Sequence, residues 1–328
     1  MSKNNKVPVK KKFDRKLFFH RLRYKVIGYN VVDGIGSRIV TYTILIAISY
    51  IFFYPLLKMV SMSIMSPNDI INPEVDWIPE KLSFLNFKAA WYVLEMPKTL
   101  INSIWYSGTL AFFQTTVSAL TGFAFARYQF KFKKFWFSMV LISFIIPVPI
   151  VLIPRIIIFT SIQSSTGIKL IGTIFPQLIM ALFGQGINSA ILILIFYNFF
   201  RLIPTSLDEA AHIDGATAFE VFWHIILKLS VPTIVTVFLF SFVWNWNETY
   251  VTNTFVRGAI KLLPIQLSSF DSVFGDLAPK IPGQANVNRI NEAYKMAATL
   301  ISIVPLLITY AFAQKQFIAG IENTGFKD

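Results

Sequence analysis

The sequence contains no cysteine, which excludes a disulfide framework, a thiolate metal site and a cysteine nucleophile. Histidine is nearly as scarce: His20, His212 and His224 are the only three, and none has a partner at the spacing a zinc site needs. No glycine is followed by lysine, so the phosphate cradle of a P-loop ATPase is missing. Charge is thin, at 14% of residues, where a soluble domain carries about 25%. Within the apolar runs carboxylates are rarer still, Glu248 being the exception, and no grouping of residues suits nucleophilic or acid–base catalysis. Hydrolytic or transfer chemistry by this chain itself is therefore not expected.

What fills the sequence instead is apolar: 55% of its 328 residues are hydrophobic. Apolar runs fall at about 39–60, 99–125, 135–158, 173–200, 231–250 and 293–313, each near the ~20 residues that cross ~30 Å of hydrocarbon. The expected fold is an all-α polytopic membrane protein with six transmembrane helices. The net charge of +13 does not point to nucleic acid, because eleven of the thirty Lys and Arg residues lie before residue 39, ahead of the first run. That is the flank of a cytoplasmic tail at an anionic leaflet, with membrane lipid as its partner. The tail, residues 1–37, mixes Leu17, Phe18, Phe19, Leu22 and Tyr24 with Lys and Arg, which leaves both a surface helix and a disordered tail open. The first run is too long for a signal-peptide core and no small-residue cleavage site follows it, so no cleavable leader is expected.

One polar stretch interrupts this pattern, from Pro204 to Pro232. Ser206 with Glu209 has the form of a capping box, predicting a helix from about Leu207. Gly215 is placed to end or bend it. Thr217 with Glu220 forms a second box, and Phe219, Phe222, Trp223, Ile226 and Leu227 follow on one predicted helical face. Two short helices joined by a glycine turn are expected.

At these residues the chain resembles the permeases of binding-protein-dependent ABC importers. Glu209, Ala210, Ala211, Asp214, Gly215 and Ala216, with Phe222, Ile225 and Leu227, match the EAA loop of that family, and I-D-G-A-T looks most like its carbohydrate-uptake, maltose-transporter branch. The family usually has proline where this chain has Lys228, which leaves the second helix uninterrupted there, while Pro232 remains. W-I-P-E-K-L-S-F-L-N-F after the first run, F-F-R-L-I-P before the loop, W-N near 245 and Q-K-Q-F-I-A-G-I near the end are also similar, so the likeness covers most of 38–328. It implies a type I importer permease domain over 38–328 whose loop at 204–232 inserts into a cleft of an ATPase subunit. It also implies import of a sugar or oligosaccharide through a bacterial inner membrane and pairing with a second, homologous permease. Two ATPase subunits and an external binding protein complete the expected assembly. This chain is expected to bind no cofactor, with ATP and magnesium on the partner ATPase.

The remaining segments carry narrower expectations. Ala111, Thr115 and Ala119, and Ser118, Gly122 and Ala126, repeat every four residues and suit close helix packing. Gln114 among them reads as a pathway residue or, better, as an interhelical hydrogen-bonding group. Pro147, Pro149 and Pro154 should break the third span and turn it toward a bundle or cavity. Arg155 reads as a substrate contact or, better, as a side chain reaching the interface. Gly184 to Ser189 loosens the fourth span, either toward a partner subunit or as a polar packing patch. Residues 61–98 and 251–292 read as external loops. At the end of the fifth span, helical geometry allows Trp244, Asn247 and Glu248 to line a substrate pathway together, with Asn245 and Trp246 on other faces. The alternative there is an interfacial belt with interhelical bonds.

Both termini are expected in the cytoplasm. The inner segments 1–37, 127–134, 201–229 and 314–328 then hold eighteen of the thirty Lys and Arg residues, and the external segments, 61–98, the short loop around Lys169 and 251–292, hold eight, in the sense of the positive-inside rule. An ion-coupled transporter would need intramembrane carboxylates or inverted repeats. A membrane-bound enzyme would need clustered polar residues at a membrane face, and only W-N-W-N-E approaches that.

Overall fold

The computed structural model describes residues 34–277 and 292–325, so most of the basic tail lies outside it. Every regular element among the described residues is helical. The chain divides into two compact units, one ending at Ser61 and one running from Met62 onward. Most of helix α1 (Ile35–Ser63) belongs to the first; it is apolar along its length, with side chains such as Ile46, Ile51 and Phe52 exposed. Exposure of this kind is costly in water and natural where lipid replaces it.

The second unit is built around α4 (Lys98–Arg127), which follows two short helices, α2 (Pro67–Ile71) and α3 (Leu85–Val93). The expected loop over 61–98 is therefore partly helical. Ser66 and Asp69 close a capping box at α2, and Asn86 on α3 donates to the carbonyls of Ser63 at 3.0 Å and Met65 at 2.8 Å. Along α4 the small residues Ala111, Thr115, Ser118, Ala119 and Gly122 are all buried. A Cβ at Gly122 would stand 2.7 Å from the Phe196 Cβ and 2.9 Å from the Tyr197 backbone nitrogen, so only glycine allows the approach of the helix that carries them.

The third span is two helices, α5 (Lys133–Ile145) and α6 (Val148–Thr166). The break falls at Ile146 and Pro147, whereas Pro154 sits inside α6 without stopping it, and α6 ends at Thr166, capped by Gly167, well past the expected 158. The fourth span is also divided, into α7 (Phe175–Leu182) and α8 (Ser189–Leu202). Next come α9 (Ser206–Ile213), α10 (Ala218–Leu229) and α11 (Val231–Asn247). The region expected as a second loop holds α12 (Tyr250–Val256), α13 (Leu263–Ser268) and α14 (Phe270–Leu277). The last helix, α15 (Glu292–Gly325), continues well beyond the apolar run.

Four of these helices, α1, α4, α6 and α15, are long and apolar enough to cross a membrane alone. Counting α8 with α9, and α10 with α11, as bent spans gives up to six, in line with the expected fold. The bends are 74° and 81°. Inside the second unit α4 packs on α8 and α11, and α11 on α15. One core cluster joins Ala90, Phe242, Trp246, Phe274 and Tyr294; another joins Phe123, Phe196, Phe200, Phe222 and Ile226. The second cluster ties the polar loop to the bundle.

Candidate coupling loop and membrane cavity

The loop begins where α8 stops at Ile203, whose backbone turns extended just before Pro204. The first expected capping box does not form. Thr205 is the N-cap and offers no side-chain bond, because Ser206 already has helical backbone and cannot cap from inside the helix. Asp208 and Glu209 in the first turn still complement the positive end of α9. Asp208 reaches Arg127 Nε at 3.1 Å, and Arg127 Nη2 donates to the Ile203 carbonyl at 2.8 Å. The end of α4 thus holds both sides of the α8–α9 corner.

Gly215 makes the turn with φ +86°, and no heavy atom lies within 4 Å of where its Cβ would be. Its requirement is backbone conformation and not space. The second capping box forms as expected: the Thr217 N–H donates to Glu220 Oε2 at 2.7 Å, and the Glu220 N–H to Thr217 Oγ1 at 3.3 Å. The Thr217 N–H and, at 2.8 Å, the Thr217 hydroxyl both donate to Glu220 Oε2 and hold that carboxyl below the usual glutamate value. The expected apolar face on α10 is split, because Val221–Ile226 winds as a π-helix and rotates the later side chains. Val221, Phe222 and Ile226 are buried, the Phe222 ring 4.8 Å from that of Phe123. Phe219 and Trp223 stack on each other and stay 67% and 56% exposed. Helix α10 runs past Lys228 to Leu229 and turns at Ser230, whose hydroxyl donates to the Ile226 carbonyl at 2.5 Å.

Of the six loop residues singled out above, Ala211 is buried and Ala216 half-buried, while Glu209, Ala210, Asp214 and Gly215 are exposed. Ile213 between them is 86% exposed. Ile213, Phe219 and Trp223 therefore leave an apolar, uncovered tip on a rigidly rooted hairpin.

A polar cavity of about 90 Å³ with an open mouth lies deeper, bounded by α4, the α5–α6 break, the α7–α8 break and α11. Gln114, only 1% exposed, organises its floor. Its amide donates to the Ile187 carbonyl at 3.0 Å and to Ser189 Oγ at 3.1 Å. Its carbonyl accepts from Ser241 Oγ at 2.7 Å and Asn245 Nδ2 at 2.5 Å. The hydrogen-bonding reading of Gln114 holds, and the same residue also lines the cavity. The Gly184–Ser189 break is neither a free face nor simple packing: it is a cavity wall that grips Gln114. Arg155 lines the cavity too, donating to Gln185 Oε1 at 3.3 Å.

The sequence-based grouping at the end of α11 is not the one found. Asn245 lines the cavity, whereas Trp244, Asn247 and Glu248 do not. The reason is that α11 ends at Asn247. Glu248 then turns to cap α12, accepting from the Val251 and Thr252 amides at 2.9 Å each. Asn247 is exposed and donates to its own helix, at the Val243 carbonyl 3.0 Å away. Trp244 is half-buried against the loop-side core, and Trp246 is a buried core residue and not an interfacial one.

Residues 114–322, the cavity floor through the last helix, match the family described as binding-protein-dependent transport system inner membrane component. The chain belongs to this family. As a member it is an inner-membrane transport component, in a family of permeases and not of enzymes. It is 28% identical over 272 residues to a putative ABC transporter permease protein of Caldicellulosiruptor sp., spanning 81% of this chain and 89% of that one. It is 26% identical over 284 residues to the arabinooligosaccharides transport system permease protein AraQ of Halalkalibacterium halodurans, spanning 85% and 93%. Its fold matches a chain in the crystal structure of a bacterial ABC transporter involved in the import of the acidic polysaccharide alginate. That match has a TM-score of 0.69 at 22% identity and covers 85% of this permease and 95% of that chain.

Proposed function

We propose that the chain is the permease subunit of an ABC importer that carries a sugar or oligosaccharide into the cell, driven by ATP hydrolysis on a separate subunit. The observation that carries this is the hairpin at α9–α10: an apolar tip exposed at Ile213, Phe219 and Trp223 on a base packed into the bundle core. Such a tip is suited to fill a cleft on another protein, and its rooted base passes that protein's movement into α4, α8 and α11. Glu209, Ala210, Asp214 and Gly215 form the exposed part of the ATPase-coupling surface, Ala211 and Ala216 pack beneath it and set its shape, and ATP and magnesium are held by that ATPase. A second, different permease supplies the other half of the membrane domain. Two ATPases bind inside and a binding protein delivers substrate outside, with both termini of this chain cytoplasmic.

Because the chain has no cysteine, a single Ile213→Cys gives a unique reactive site. In membranes holding the complete transporter, a short bifunctional reagent at this position should link the chain to the ATPase subunit. Cells should also lose ATP-dependent oligosaccharide uptake when this chain is deleted. Uptake that continues without this chain, or an introduced thiol that links to no ATPase in a functioning transporter, overturns the proposal.

A further inference from the structure

We infer that the cavity takes a carbohydrate bearing an anionic group, a carboxylate or a phosphate, and that Arg155 is the residue that receives it. The inference rests on the permease reading above and deepens it by naming a substrate class. Among the described residues Arg155 is the one charged side chain lining the cavity, and no carboxylate lines it. Its single hydrogen bond among those residues, to Gln185, is a long one at 3.3 Å and engages one nitrogen of a group with five N–H donors. No carboxylate among the described residues pairs with it, and Glu248, at the far end of α11, is committed to the amides of α12.

A guanidinium does not lose its proton in proteins, so in this cavity wall it stands as a charge awaiting a partner. Its planar fork fits two oxygens of a carboxylate or a phosphate side by side. The walls suit the rest of such a molecule. Gln185 and Asn188 are exposed amides able to meet hydroxyl groups, and the 14-residue helix α8 starts at Ser189 in the wall with no side-chain cap from Asn188. Its positive end adds to the same potential. A neutral sugar would satisfy the amides and leave the guanidinium unpaired.

The test uses the complete transporter in membranes with Ser143→Cys, a cavity position in a chain otherwise free of cysteine. The introduced thiol is labelled with reagents of similar size carrying a sulfonate or a trimethylammonium group. The sulfonate should react roughly tenfold faster, a preference lost in Arg155→Gln and kept in Arg155→Lys. Digalacturonate or glucose 6-phosphate should slow the labelling where maltotriose does not, and whichever of the two protects identifies carboxylate or phosphate. Equal rates for the two reagents, or equal protection by maltotriose, overturns the inference. Labelling reads the cavity's charge directly, so it fails or succeeds independently of ATP-driven uptake, on which the permease reading stands.

Discussion

Arg127 Nε lies 3.1 Å from the Asp208 carboxylate, with both side chains largely buried at 7% and 16% exposure. The Nε–H is not aligned on the oxygen, so the attraction is one of charge more than of a directed hydrogen bond, while Arg127 Nη2 makes the directed bond to Ile203. One side chain from α4 thereby fixes the corner from which the α9–α10 hairpin springs. Removing one partner of a buried pair strands the other charge and costs about 3–5 kcal/mol. Arg127→Gln and Asp208→Asn should therefore each lower thermal stability and uncouple ATP hydrolysis from uptake. The double exchange Arg127→Asp with Asp208→Arg should recover part of the loss, and absence of any recovery would show that the pair does not act as a pair.

At Gly215 a side chain would meet open space but a forbidden backbone, at φ +86°. Gly215→Val should distort the turn by about 1–2 kcal/mol and abolish uptake while the protein still reaches the membrane at normal level. Ala211 is buried against the loop-side core, so Ala211→Phe should have the same outcome by overpacking. Immunodetection in membranes alongside uptake separates loss of coupling from loss of protein.

The Thr217–Glu220 box carries a pH signature. Glu220 has its carboxyl held below the ordinary value of 4.5 by the Thr217 donors. A depressed folded value means the cap is fully present above 4.5 and is lost as pH falls further, through the folded value. Hydrogen exchange of the amides opening α10 should accelerate on acidification, and Thr217→Val should already exchange fast at neutral pH.

Glu248 and Asn247 separate the two readings of the end of α11. Glu248→Gln should loosen α12, seen as faster exchange over 250–256, because it weakens the acceptor for two amides. Asn247→Ala should leave both uptake and ATP hydrolysis near normal, since its side chain bonds only within its helix.

Gln114→Leu should be the most damaging single change in the cavity floor. It leaves Ser189, Ser241 and Asn245 without their shared partner, and interhelical bonds of this kind are worth about 0.6 kcal/mol each in membranes. A melting temperature unchanged in Gln114→Leu would show that the network contributes nothing to holding α4, α8 and α11 together.

Most of the spans and both loop helices were legible because hydrophobic run length and glycine or capping chemistry are local signals. Gly215, Thr217 and Glu220 act through neighbours three or four residues away, and a sequence displays those. The Ser206 box misled because Pro204 and Thr205 already supply the first helical carbonyls, to Leu207 and Asp208, moving the helix start one residue earlier. The π-turn at Val221–Ile226 has no residue signature, and within it Phe222 packs against Phe123 from a distant span. The cavity escaped for a related reason. Gln114, Asn245 and Arg155 come from three separate spans, and nothing in W-N-W-N-E-T-Y reveals that the helix stops at Asn247 and commits Glu248 to the next one. Arg127 looked like one more inner positive charge, because its partner lies far along the chain.

Helix α4 runs unbroken from Lys98 to Arg127, with no proline inside it. Gln114 and Arg127 are thirteen residues apart on this one rod, or about 20 Å at 1.5 Å per residue. A tilt of about 5° imposed at the hairpin would then carry Gln114 sideways by about 2 Å, without any intervening joint to absorb it. Because Gln114 grips α8 and α11 through three hydrogen bonds and the break before α8 through a fourth, the stroke would be shared by three helices at once. In mechanical terms the device is a crankshaft with a fixed throw, and its gearing is set by where along α4 the glutamine stands.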